Sequence, residues 1–114
     1  MTIATPKDTM FLYRAMSDIE FFKVIQSKRF ACLPGGVGVK YFGLNFQDTL
    51  NFADMVINKN IVAIVEVEVS CEIVNKIGDF VNVDPFLFKH GTVEIWETDL
   101  NKFNDAIVSV THKF

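Results

Sequence analysis

Apolar and polar positions along the chain predict several short strands. Ile61–Val69 starts as a continuous apolar run and then alternates apolar with acidic residues. This pattern predicts a strand that is buried on both faces at first and on one face later. Met10–Ala15 is a short apolar run broken only by Arg14, and it predicts a first strand. Thr92–Thr98 and Ile107–His112 predict two further strands.

Two segments carry signals for the start of a helix. Ser17 is followed three residues later by Glu20, which is the spacing of a capping box. The apolar residues that follow have helical spacing and are predicted to form a stripe facing the core: Ile19, Phe22, Val24 and Ile25. Asn45 is predicted to cap a second helix, because Asp48 then lies in the first turn, where a negative charge is favoured.

The second helix is predicted to form a cleft with the strand before it. Thr49, Phe52 and Ala53 follow Asn45 at helical spacing and share one face. Tyr41 lies in the preceding short strand, after a glycine-rich loop. Two aromatic rings and a hydroxyl group are therefore expected to converge there.

The remaining segments complete an α+β pattern. Phe30–Leu33 is a possible short strand, and a short helix is predicted from Ser70 to Ile77. Gly78–Phe88 is expected to be an irregular connector, and Asp99–Asn104 a turn of helix. We expect one domain spanning residues 1–114, with two small, packed, mainly antiparallel sheets and flanking helices. Residues 1–9 are expected to form a flexible or extended segment.

Composition narrows the class of protein. The chain has 114 residues, of which 50% are hydrophobic and 22% charged, and this balance favours a folded globule. Its net charge of -3 does not favour nucleic acid as a partner. Cys32 and Cys71 indicate reduced thiols rather than a disulfide framework. With no apolar run long enough for a membrane span and no signal peptide, we expect a soluble, cytoplasmic chain, although export by a signal-independent route stays open.

Two charged residues in apolar strands are candidates for chemistry. Burial of Arg14 requires an anionic partner, and its guanidinium suits phosphate or carboxylate; the alternative is that it reaches solvent or pairs with a structural acid. Glu94 shares a strand face with Trp96 and is a candidate electrostatic group; the alternative is a solvent-facing acid. His90 and His112 lack the spacing of a metal site, and no metal is expected.

Three segments resemble motifs of the ADP-ribosyltransferase superfamily, in its diphtheria-toxin-like and poly(ADP-ribose) polymerase-like branch. Leu12–Ser17 resembles the first motif, a strand whose His-Gly or Arg orients NAD. Lys40–Phe42 and the helix after it resemble the Gly-Ile-Tyr-Phe-Ala segment of the family. Glu94–Asn101 resembles the Glu-Tyr-Ile-Val-Tyr-Asp region, with Glu94 at the catalytic glutamate.

The second motif gives the most specific part of the resemblance. Tyr41 matches the family's tyrosine, Thr49 its nicotinamide-binding serine, and Phe52 the aromatic residue that stacks on nicotinamide. Two positions depart from the polymerase-like pattern. Arg14 stands where that branch has histidine, and Ala15 replaces the glycine whose backbone commonly binds the nicotinamide amide, so the branch is left open.

The resemblance implies an ADP-ribosyltransferase-like fold and NAD as substrate. The expected activity is cleavage of the nicotinamide–ribose bond, with transfer of ADP-ribose to a macromolecule, expected to be a protein, or to water. Glu94 would be catalytic and Arg14, Ala15, Tyr41, Thr49 and Phe52 would bind NAD. Small members of this kind are often toxins or effectors. The alternatives are a non-catalytic module that binds NAD, ADP-ribose or a protein, and an RNA phosphotransferase-like member of the related fold.

Overall fold

The computed structural model describes residues 8–32, 38–55, 61–82 and 84–114. Within these residues the chain forms six strands and four α-helices. In chain order they are β1 (Thr9–Ser17), α1 (Asp18–Ser27), β2 (Val39–Gly43), α2 (Phe46–Met55), β3 (Ile61–Ser70), α3 (Cys71–Ile77), β4 (Asp79–Val81), β5 (Thr92–Trp96), α4 (Leu100–Asp105) and β6 (Ile107–His112). A 3-10 turn, Glu97–Asp99, joins β5 to α4.

The strands form one antiparallel sheet with the order β4-β5-β2-β1-β3-β6. The predicted α+β class and the antiparallel pairing are confirmed. The prediction of two packed sheets is not, because the described strands belong to a single hydrogen-bonded sheet. Periodicity gives the exposed and buried faces of a strand but not its neighbours, so it could not distinguish the two arrangements.

The sheet is nearly divided between β1 and β2. These strands share a single registered pair, Tyr13 with Gly43, whereas β1 pairs with β3 along its whole length. In a continued antiparallel ladder, Ala15 would lie opposite Tyr41, but no such pair forms. The sheet therefore consists of two half-sheets that meet at one point.

Helices cover both faces of the sheet. α1, α3 and α4 pack on the face that holds the main core, and α2 packs on the other face, against β1, β2 and β3. The core is strongly aromatic: Phe42 packs edge-on against Phe30, with ring centroids 5.2 Å apart, and lies 5.0 Å from the Phe103 ring. These buried rings fix β2 against α4.

The predicted helix starts are confirmed by their caps. Ser17 accepts a hydrogen bond from the Glu20 backbone N–H (3.3 Å), and Asn45 Oδ1 accepts one from the Asp48 N–H (3.0 Å). Ser70 caps α3 in the same way. Such caps act over three residues, which is why the sequence alone reveals them.

Three local predictions are wrong. Ile19 and Phe22 are 63% and 65% exposed, so the apolar stripe of α1 reaches the core mainly through Val24. Residues 30–32 form no strand, and Leu33 lies outside the described residues. The segment predicted as a connector contains β4, a three-residue edge strand whose short length gave no periodic signal.

Of the predicted N-terminal segment, residues 1–7 lie outside the described residues, and Thr9 pairs with Ser70.

Candidate functional site

A cavity of about 380 Å³ opens where the β1–β2 ladder ends. One wall is the stretch of β1 from Tyr13 to Ser17, and another is the end of β2 from Tyr41 to Gly43. Glu20 from α1 also lines the cavity. The remaining wall is formed by Thr49 and Phe52 of α2, by Thr92 of β5 and by Phe88 in the turn before β5. The missing pairing between β1 and β2 is therefore what makes room for the cavity.

Five of the six site residues predicted from the sequence line this cavity. They are Arg14, Ala15, Tyr41, Thr49 and Phe52. Glu94 does not line it, but it lies directly opposite Tyr41 in the register of β2 and β5. The strands that contain the three motif segments, β5, β2 and β1, thus lie side by side in the sheet. The binding roles of these residues stay predictions.

The aromatic side chains of the cavity leave space between them. Tyr41 is 41% exposed and makes no ring contact with another described aromatic residue. Phe52 packs against Phe88, with ring centroids 5.2 Å apart and planes at 39°. Sequence reasoning missed Phe88, because it lies in the segment predicted as a connector and reaches the cavity only through the fold.

Thr49 is held close to the backbone of β2. Its hydroxyl donates to the Asn45 carbonyl oxygen (3.0 Å), and the residue is buried. A Cβ atom at Gly43 would overlap the Thr49 Oγ1 atom and would lie 3.0 Å from Cε1 of Phe88. Because Gly43 has no side chain, α2 can pack this closely against β2.

Arg14 is anchored by an acid and by a backbone carbonyl. Its Nε and Nη2 atoms donate to the two carboxylate oxygens of Glu20, at 2.7 and 3.1 Å, and its Nη1 donates to the Tyr41 carbonyl oxygen at 2.9 Å. Lys40 Nζ lies 3.2 Å from Glu20 Oε2. The sequence left open whether Arg14 binds a ligand or pairs with a structural acid. In the structure it pairs with the acid Glu20.

The electrostatics of this cluster favour an ionised Glu20. Burial alone would raise the pKa of Glu20, but the hydrogen bonds and charge of Arg14, aided by Lys40, outweigh burial and lower that pKa. The sequence pointed to Glu20 only as a capping-box residue. Its carboxylate instead turns toward β1 and β2, which sequence spacing could not indicate.

Glu94 is half-buried and has cross-strand neighbours on both sides. Tyr41 lies opposite it on β2 and Asp79 lies opposite it on β4. The Glu94 carboxylate makes no hydrogen bond or ion pair with another described residue. Its carboxylate is therefore available to a ligand that extends from the cavity across Tyr41.

A second and larger cavity, of about 920 Å³, adjoins the first. Arg14, Ser17 and Glu20 line both cavities. The second cavity adds three cationic side chains: Lys23, Arg29 and Lys40. Arg29 is paired with Asp105 (3.0 Å) and Lys40 with Glu20, so the cations of this cavity are partly neutralised.

Asp48 connects α2 to the turn before β5. The backbone N–H of His90 donates to Asp48 Oδ2 (2.8 Å), and His90 Nδ1 lies 2.9 Å from the same oxygen. The Asp48 side chain is 6% exposed, whereas that of His90 is 63% exposed. This link holds the helix that carries Thr49 and Phe52 against the turn before β5.

The described residues contain no group of three or more side chains suited to hold a metal ion. None of the described helices is both long and apolar enough to cross a membrane.

Comparisons of the chain with protein-family models, with curated proteins and with solved structures give no match. The residues around the cavity are therefore the basis for assigning a function.

Proposed function

We propose that this protein is an NAD-dependent ADP-ribosyltransferase or NAD glycohydrolase with an ADP-ribosyltransferase-like fold. The observation that carries the proposal is the meeting of all three motif strands, β1, β2 and β5, around one cavity. Arg14 donates a hydrogen bond there to the backbone carbonyl of Tyr41, which lies 27 positions later in the sequence.

The first cavity fits the nicotinamide end of NAD. Tyr41 and Phe52 both line it, and on this proposal the flat nicotinamide ring lies between their side chains. The Thr49 hydroxyl already donates to Asn45, which leaves its oxygen to accept a hydrogen bond from the carboxamide N–H. The backbone of Ala15, in the stretch of β1 that does not pair with β2, would bind the same carboxamide.

The second cavity fits the phosphate-bearing part of NAD. A guanidinium has five N–H groups, and Arg14 uses three of them on Glu20 and Tyr41. The remaining two can bind a ribose or phosphate oxygen at the boundary of the two cavities. Beyond that boundary the charge of Lys23 favours an anion, while Arg29 and Lys40 are each paired with an acid.

Glu94 supplies the electrostatic part of the chemistry. When the nicotinamide–ribose bond breaks, nicotinamide leaves with the bonding electron pair and positive charge develops on the ribose. A fixed carboxylate beside the ribose stabilises that charge and can accept a hydrogen bond from a ribose hydroxyl. A protein nucleophile or water then forms the new bond to the anomeric carbon and loses its proton.

The experiment that tests this proposal is titration of the purified chain with NAD, with assay of free nicotinamide. Binding together with release supports the enzyme. Absence of NAD binding contradicts both the enzyme and a module that binds NAD.

A non-catalytic binding module of the same fold is the second candidate. It is favoured by two observations: Arg14 is already paired with Glu20, and Glu94 lies outside the cavity wall. Ala15 at the position of the family's glycine agrees with it. Binding of NAD without nicotinamide release would select this candidate over the enzyme.

A further inference from the structure

A side chain holds β1 and β2 together at the point where their backbone pairing stops. Beyond the pair of Tyr13 with Gly43 the ladder does not continue, and the Arg14 Nη1 atom donates to the Tyr41 carbonyl oxygen instead. This hydrogen bond spans the gap at the cavity wall. The position of Tyr41 relative to β1 therefore depends on the orientation of a guanidinium group.

Glu20 determines that orientation. Its two carboxylate oxygens accept from Nε and Nη2 of Arg14, so the planar guanidinium is held at two points. The Oε2 atom also accepts from Lys40 Nζ, and Lys40 belongs to β2. A single carboxylate on α1 thus contacts both strands that flank the gap.

Charge makes this carboxylate necessary. The Arg14 and Lys40 side chains are only 20% and 8% exposed, and both approach the same oxygen of Glu20. Without a negative charge between them, two poorly solvated cations would repel each other across the gap. The separation of β1 and β2 would then change, and with it the width of the cavity.

We propose that Glu20 is a positioning residue of the candidate site, which fixes Arg14 on the Tyr41 carbonyl and so sets the width of the nicotinamide cavity. The importance of that width for ligand binding rests on the proposed function. The contact between Glu20 and the two cations does not, so it can be tested in the protein without ligand.

The test compares Glu20→Gln with Glu68→Gln in the full chain. Both variants remove one carboxylate charge, but Glu68 lies on β3 and accepts a hydrogen bond from Thr9, away from the cavity. In Glu20→Gln we expect hydrogen exchange at Arg14 Nε to accelerate and the Tyr41 ring signals to shift in NMR spectra. We also expect nicotinamide affinity to fall about tenfold or more, whereas Glu68→Gln stays within about twofold of the parent.

Glu20→Asp provides a second variant if Glu20→Gln does not fold. It keeps the charge, but its side chain is one carbon shorter and cannot bridge both cations, so it should show the same changes. Unchanged Arg14 Nε exchange and Tyr41 signals in the folded Glu20 variant would overturn the proposal. It would equally be overturned if these signals changed while nicotinamide affinity did not.

Failure of the proposed function gives a different result. If the parent protein does not bind nicotinamide, the assignment of the cavity is wrong. The exchange and ring signals of the protein without ligand still decide whether Glu20 positions Arg14 and Tyr41.

Discussion

Tyr41 on β2 lies directly opposite Glu94 on β5, so the two side chains share one face of the sheet. Phe52 and Thr49 approach the same face from α2. Arg14 reaches this region from the other side of the gap between β1 and β2, through its hydrogen bond to the Tyr41 carbonyl. Tyr41 is therefore the residue at which all parts of the candidate site meet.

Replacement of Glu94 tests the catalytic assignment. Glu94→Gln keeps the size of the side chain and removes the charge that we propose stabilises the developing cation. We expect the rate of nicotinamide release to fall about a hundredfold to a thousandfold with NAD affinity little changed. Glu97→Gln, in the exposed 3-10 turn three residues later, is the matched control and should keep the parent rate. Equal rates for Glu94→Gln and the parent would remove Glu94 from the mechanism.

Gly43→Ala tests whether the space beside Thr49 forms the ligand site. The added methyl group would overlap Thr49 Oγ1 and press on Phe88, so α2 must move or the cavity must narrow. We expect nicotinamide affinity to fall about tenfold or more, measured by calorimetry. In the control Gly38→Ala the new atom would make an ordinary contact, 3.4 Å from Glu97 Oε1, and affinity should persist. Full affinity in Gly43→Ala would place the ligand elsewhere.

The stability of the protein should depend on the ionisation of Glu20 at acid pH. Because the pKa of Glu20 is lowered in the folded protein, its stabilising effect is complete above the unfolded-state pKa. It is lost as the pH falls through the lowered folded-state pKa. Urea unfolding from about pH 7 to about pH 3 should therefore show a smaller loss of stability in Glu20→Gln than in the parent. Parallel pH profiles for the two proteins would contradict the assigned ion pairs.

Asp48 should matter for stability although it does not line the cavity. Asp48→Ala removes the acceptor for the His90 backbone N–H, and we expect a loss of about 1–3 kcal/mol in the free energy of unfolding. Asp54→Ala changes an exposed acid on the same helix and should cost less than about 0.5 kcal/mol. Urea denaturation of the two variants measures the difference. A similar cost for both would mean that the link from Asp48 to His90 does not hold α2 in place.

Local signals predicted much of the fold. Ser17, Asn45 and Ser70 start helices through hydrogen bonds that reach only three residues along the chain. The apolar run and alternation of β3 likewise lie within one segment, and both ends of β6 were predicted correctly. These features need no information about distant parts of the chain.

The rest depends on contacts between distant segments. Helical spacing identified an apolar stripe on α1, but it could not show that Ile19 and Phe22 are left uncovered. Phe88 enters the cavity wall only because the turn before β5 folds against α2. The contacts of Glu20 with two strands are of the same kind, and so is the register that places Glu94 opposite Tyr41.

We propose that the cavity between β1, β2 and α2 binds the nicotinamide end of NAD beside Glu94. The most direct test is a crystal structure of the Glu94→Gln variant with NAD, because the variant should bind NAD without cleaving it. We expect a nicotinamide ring between Tyr41 and Phe52, with the ribose next to residue 94. A ring bound outside this cavity, or a cavity that stays empty at saturating NAD, would contradict it.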